Sequence, residues 1–125
     1  MPEATGFFPG RAAIEAYGNG GFRFAGMSHR GSIVCLPAGI AAWPVTAPDQ
    51  IDRASLAAVL ARPQGLDFLL LGTGQSQVFP APDVRKAFRE AGIGLDVMDT
   101  GAACRTYNIL LGERRPVGAA LIAID

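Results

Sequence analysis

The sequence predicts an α/β domain built on a mixed sheet, and three observations carry that prediction. The first third of the chain is a succession of short β-branched or aromatic runs broken by glycine-rich or polar turns. The second half alternates apolar strand-like runs with segments of helical periodicity, the order that parallel strands and helical crossovers require. At 125 residues, half of them apolar and 18% charged, the chain is long enough to bury a core of its own. One domain over 1–125 is expected, with 1–13 a loosely ordered N-terminal segment.

The elements follow in order. Ile14–Tyr17, Phe22–Ala25, Ser32–Leu36 and Ile40–Val45 read as strands. Gly18-Asn19-Gly20-Gly21 and the polar Ser28-His29-Arg30-Gly31 separate the first three as hairpin turns, which places His29 in a surface loop. Phe22-Arg23-Phe24 alternates as a strand with one wet face does, whereas Ile33-Val34-Cys35-Leu36 suits burial on both faces. A helix is expected from about Arg53 to Arg62, capped by Asp52, stapled by Ile51 and Leu56, and stopped by Pro63 and Gly65. Phe68-Leu69-Leu70-Leu71 reads as a central strand. Pro82 opens a helix whose inner stripe is Val84, Ala87, Phe88 and Ala91, and Gly92 closes it. After a strand at Leu95-Asp96-Val97, Asp99 or Thr100 caps a third helix. Cys104, Tyr107, Leu110 and Leu111 form its inner face and Gly112 its end. Val117–Ile124 is the final strand.

Composition excludes several functional classes. Net charge is zero, with five basic residues against four acids in 1–62 and six against seven in 63–125. The basic stripe of a nucleic-acid binder and the polybasic patch of a membrane-surface protein are both missing. Two cysteines, Cys35 and Cys104, and one histidine do not supply the four ligands of a structural zinc site. No metal and no cofactor are expected. The longest apolar stretch, Ile33–Val45, is interrupted by Pro37, Gly39 and Pro44 and is too short to span a bilayer. Neither a secretory signal nor a transit peptide is visible, so reduced cysteines and a cytoplasmic location are expected.

Candidate chemistry is sparse. Gly72-Thr73-Gly74-Gln75 follows an apolar strand, where α/β proteins place ligand loops, and its glycines suit either an anion nest or a tight structural turn. The dinucleotide fingerprint fails because position 77 is Gln and the next helix opens only at Pro82. Cys104, beside Arg105 near a helix start, suits an activated thiol or a core cysteine. Asp96 and Asp99 read as a strand's outward residue and a helix cap rather than an acid/base pair. Trp43 lies between apolar residues and is expected in the core. No catalytic residue is assigned.

One long string resembles a known family. Val97-Met98-Asp99-Thr100-Gly101-Ala102-Ala103-Cys104-Arg105-Thr106-Tyr107-Asn108-Ile109-Leu110-Leu111 carries the resemblance. Gly72-Thr73-Gly74-Gln75 and Gly92-Ile93-Gly94-Leu95 extend it. Together they resemble the small α/β domain family that includes the mitochondrial respiratory complex I assembly factor 3 and many uncharacterised bacterial and archaeal proteins, over about Ile14 to Ile124.

The resemblance implies a three-layer mixed-sheet fold with about three helices, no established enzymatic activity, and protein partners at a membrane complex. It maps the family motif onto Asp99, Thr100, Cys104, Arg105, Thr106, Tyr107 and Asn108 with Gly72, Thr73 and Gly74, and it implies that the glycine loop and the third helix line one cleft. The functional expectation is therefore a non-enzymatic interaction or assembly protein, cytoplasmic, with peripheral contact at the inner membrane. The alternative is a small-molecule or anion-binding protein that uses Gly72, Thr73, Gly74 and Gln75 with Arg105 and Asn108.

Overall fold

The computed structural model describes residues 7–61 and 66–125. Along the chain run β1 (Phe7–Pro9), β2 (Ile14–Gly18), β3 (Gly21–Phe24), β4 (Met27–Arg30), β5 (Ser32–Leu36), β6 (Gly39–Trp43), α1 (Ala57–Leu60), β7 (Phe68–Gly72), α2 (Pro82–Ala91), β8 (Gly94–Met98), α3 (Thr100–Gly112) and β9 (Val117–Leu121). A six-stranded sheet has the order β1-β6-β5-β9-β7-β8, and β2-β3-β4 form a separate three-stranded meander. β9 pairs antiparallel with β5 and parallel with β7, so it joins the hairpin-derived half of the large sheet to the crossover half. The expected mixed sheet is present, parallel in the second half and antiparallel in the first.

Side chains alternate across the large sheet with period two. Ile33, Cys35, Leu70, Ala119 and Leu121 face one core, which α3 and the inner side of the meander cover with Cys104, Tyr107, Phe22 and Phe24. Val34, Leu69, Leu71, Ala120 and Ile122 face the other core, covered by Leu56 and Val59 on one side and by Val84 and Phe88 of α2 on the other. Trp43 is buried in that second core and donates from Nε1 to the Ser55 carbonyl at 2.7 Å. The result is three layers, with the sheet in the middle and apolar on both faces.

Several elements depart from expectation for identifiable reasons. Met27–Arg30 is a strand, where a turn was expected over Ser28-His29-Arg30-Gly31. Asn19-Gly20 and Ala25-Gly26 both have positive φ at each residue (53° and 79°, 50° and 73°), as two-residue type I′ hairpins require, so one turn leads straight into the next. His29 consequently stands opposite Phe22 and is buried rather than lying in a surface loop. The helix expected over 53–62 shrinks to the single turn α1. Asp52 Oδ1 accepts from the Ser55 amide at 2.7 Å while Ser55 Oγ accepts from the Asp52 amide at 3.0 Å, the reciprocal bonding of a capping box. The turn after it closes with the shorter-range bonds of Leu56 to Arg53 and Ala57 to Ala54, so the α-helix begins only at Ala57. The expected stop at Pro63 and Gly65 lies outside the described residues. β9 ends at Leu121 rather than Ile124. Among the described residues that precede β2, Phe7–Pro9 form β1, antiparallel to β6.

Helix ends explain α2 and α3. Gly92, at φ 73°, closes α2 with bonds from its own amide to Arg89 and from the Ile93 amide to Phe88, while Ile93 packs into the core. Asp99 caps α3 by accepting from the Ala102 amide at 2.8 Å. Gly112, expected as the stop, is the last helical residue, and the left-handed position falls at Arg114, φ 59°. There the amides of Arg114 and Arg115 return to Leu111 and Leu110.

Gly72 sets the distance between α3 and the sheet. A Cβ there would lie 3.0 Å from Leu121 Cδ2, 3.1 Å from the Thr100 Cα and 3.2 Å from the Ala103 Cβ. Gly72→Val should therefore lower stability by about 1–3 kcal/mol through overpacking, read as a lower urea midpoint. Gly112→Ala, where nothing lies within 4 Å, should hold or raise that midpoint.

Candidate functional site

The glycine loop leaves the carboxyl end of β7, beside the crevice between β7 and β8, where α/β sheets commonly receive ligands. Here the loop closes on the protein itself. The Thr73 hydroxyl donates to the Ser76 carbonyl at 2.7 Å and accepts from the Val78 amide at 2.9 Å. The Thr73 amide donates to Met98, and Gln77 Nε2 reaches the Val97 carbonyl of β8 at 2.8 Å. The Gly74 amide donates to the Thr100 hydroxyl at 2.9 Å, and that hydroxyl donates to the Ile122 carbonyl at 2.7 Å. The Thr100 amide completes the ring by donating to the Gly74 carbonyl at 2.9 Å. The amides that an anion nest would turn outward at Thr73 and Gly74 are engaged internally. Thr73 and Thr100 are buried, and Gln75 alone of the four loop residues is exposed.

The structure thus brings Gly72, Thr73, Gly74, Asp99 and Thr100 together at one seam. It places the rest of the motif elsewhere on α3. Asn108 accepts from the Ile14 amide through Oδ1 and donates to the Ile14 carbonyl through Nδ2, each at 2.8 Å, clamping β2 onto the helix. Arg105 is exposed and donates to the Tyr17 hydroxyl at 2.8 Å. Tyr17 lies against Gly101, where a Cβ would come within 2.8 Å of its hydroxyl.

Cys104 lies in the core with Cys35 and Tyr107, and both cysteines are free thiols. Burial raises the Cys104 pKa from 9.0 to about 12, and the opposing pull of Arg105 is the smaller effect. Burial likewise raises Cys35 and Tyr107, and the proximity of Cys104 adds to the Cys35 shift. At neutral pH these thiols carry their protons, so Cys104 lacks the thiolate character of a nucleophile.

A depression of about 420 Å³ opens beside the loop, between Thr46–Pro48, Gly74–Ser76 and Ile122–Asp125. Past the loop, Val78 and Phe79 stand exposed, Phe79 at 60%, with the Arg85 guanidinium 5.1 Å from its ring centre. Sequence reasoning passed over this pair. The available signal was an apolar Val-Phe dipeptide followed by Pro80 and Pro82 outside any strand or helix period.

A mixed six-stranded sheet carrying a helix and a three-stranded meander on one face defines a Mth938-like α/β domain. A solution structure of a Bordetella pertussis protein described by that term superposes with TM-score 0.78 at 32% identity, covering 90% of this chain and 85% of that one. Residues 14–122 match the family described as Protein of unknown function (DUF498/DUF598), and the chain belongs to it. A crystal structure described as an outer membrane protein from Bartonella henselae superposes with TM-score 0.90 at 47% identity, covering 94% of this chain and 99% of that one. The mouse NADH dehydrogenase [ubiquinone] 1 alpha subcomplex assembly factor 3 is 34% identical over 92% of this chain and 62% of its own length. The chain thus spans about three fifths of that relative. An uncharacterised protein of Rhodobacter capsulatus is 38% identical over 92% of this chain and 87% of its own length.

One substitution tests the seam and another the buried thiol. Thr100→Val removes the shared hydroxyl, leaves the Gly74 amide and the Ile122 carbonyl without it, and should cost about 1–3 kcal/mol in denaturant unfolding. The raised thiol pKa fixes a pH trend as well. Below about 9 the proton sits on Cys104 in both states; above it the unfolded chain sheds a proton that the folded chain keeps. Stability should fall as pH rises from about 9 towards 12, and Cys104→Ala should flatten that slope in urea unfolding followed across the same window.

Proposed function

We propose that this protein is a non-catalytic partner-binding module that serves the assembly of a respiratory NADH dehydrogenase; the mouse relative is named as an assembly factor of the NADH dehydrogenase [ubiquinone] 1 alpha subcomplex. The observation that carries the reading is Phe79. Its segment is held in place before any partner arrives, by the Thr73 hydroxyl at Val78, by Gln77 on the edge strand β8, and by Pro80 and Pro82. An aromatic side chain offered on such a pre-ordered segment loses little entropy on docking, and buried aromatic anchors dominate interface energetics. The Arg85 guanidinium over the ring suits a partner pocket with a carboxylate at its rim.

Thr100 and Asn108 of the family motif support the same reading, since their side chains are bonded within the fold. Among the described residues no helix is long and apolar enough to cross a membrane.

Affinity capture from native membranes and cytosol, read by mass spectrometry, tests both levels. Respiratory-complex subunits should be recovered with the natural chain and reduced about thirtyfold or more by Phe79→Asp, the loss expected for a central aromatic anchor worth roughly 2 kcal/mol. Recovery unaffected by the substitution would remove Phe79 from the interface. A specific partner set without respiratory subunits would remove the respiratory assignment.

A further inference from the structure

We propose that the outer face of the three-stranded meander binds an oxyanion, a phosphate or carboxylate group, through Arg30 assisted by Arg23 and Ser28. Strand register fixes which residues share that face. Ala16, Arg23 and Ser28 stand opposite one another across the three strands, and so do Gly18, Gly21 and Arg30. Partners in register project to the same side of a sheet. Phe22 and Phe24 occupy the opposite side, in the core, so the two arginines and Ser28 face outward.

Between them the floor lacks bulk. Gly18 and Gly21 carry no side chains, and a Cβ at Gly21 would collide with the His29 carbonyl oxygen, so β3 and β4 approach closely there. The outcome is a groove of about 300 Å³ whose exposed walls include both arginines. Arg23 and Arg30 are diagonal neighbours on adjacent strands, about 7–8 Å apart at the backbone, within reach of a single multi-oxygen anion for two long guanidinium side chains.

The charges are unequally committed. Arg23 pairs with Glu15 at 3.4 Å, an exposed ion pair that a competing anion can exchange. Arg30 makes no ion pair and no side-chain hydrogen bond among the described residues. Glu15 offsets Arg23, and Asp125 follows Ile124, whose carbonyl accepts from the Gly20 amide at the other end of the groove, so Arg30 is the cation that carries the site. Phosphate and carboxylate oxygens are the acceptors that guanidinium geometry pairs with best. The groove lies on β2–β4 and shares no residue with the Phe79 segment, so either assignment stands or falls without the other.

The test titrates isotope-labelled protein with sodium phosphate and, separately, with citrate at constant ionic strength, following backbone amide shifts. Saturable shifts confined to residues 16–31 are expected, with affinity weakened roughly tenfold or more by Arg30→Gln, the size of one lost charge-assisted contact. Glu15→Gln, which releases Arg23 from its acid, should tighten binding. Ala16→Glu, at an exposed position on the groove floor, should abolish it while leaving the rest of the spectrum in place. Phosphate alone producing the response identifies a phosphoryl ligand, and citrate alone a carboxylate. Equal shifts at Lys86 and Arg89, an unchanged titration in Arg30→Gln, or no shift with either anion overturns the site.

Discussion

The fold depends on how closely α3 lies on the large sheet. That contact is a backbone-to-backbone approach at Gly72, where the sheet offers no side chain and the helix answers with the Cα of Thr100 and the methyl of Ala103. Ala119 of β9 keeps the same face shallow. At this separation the Thr100 hydroxyl reaches two elements at once, taking the Gly74 amide and giving its proton to the Ile122 carbonyl. A wider gap would strand three buried polar groups, whose desolvation is costly when unpaired. Close packing and hydrogen bonding therefore constrain one another, and the glycine loop, the helix and the C-terminal side of β9 behave as one unit.

Seen from that seam, the long motif on α3 has a structural meaning residue by residue. Asp99 caps the helix, Thr100 pins it, Gly101 admits the Tyr17 ring, Ala103 and Cys104 fill the core, Arg105 holds Tyr17 from outside, and Asn108 grips the backbone of β2. The motif writes the docking of one helix onto a sheet and a meander. Surface chemistry is left to residues outside it, at Phe79 and at the arginines of the meander.

Much of this architecture was legible because local physics announces it. Period-two and unbroken apolar runs marked β5, β7 and β9, Pro82 and Gly92 bounded α2, and Asp99 announced α3. What escaped was decided between distant residues or against propensity. Ala25 at positive φ carries no turn signal, so β4 and the burial of His29 stayed hidden. Asp52 and Ser55 bond reciprocally at the expected cap, but the turn that follows closes with i→i+3 bonds and leaves a single α-turn, which no side-chain pattern reports. The seam at Thr100 joins residues 22 and 26 positions apart, and no periodicity reports a bond of that kind. Phe79 was overlooked because an apolar residue in a sequence is read as core until its exposure is known.

The position of β9 also bears on how the molecule comes into being. The strand latest in sequence among the nine lies between β5 and β7, so the two halves of the large sheet have no shared edge until it arrives. Its partners lie some 50 to 90 residues upstream, which makes the pairing a long-range closure, slower to form than the local hairpins. During synthesis the earlier strands would wait with open edges and uncovered apolar faces, the condition under which nascent chains stick to one another. A domain wired this way matures after its last strand is released rather than progressively from its first.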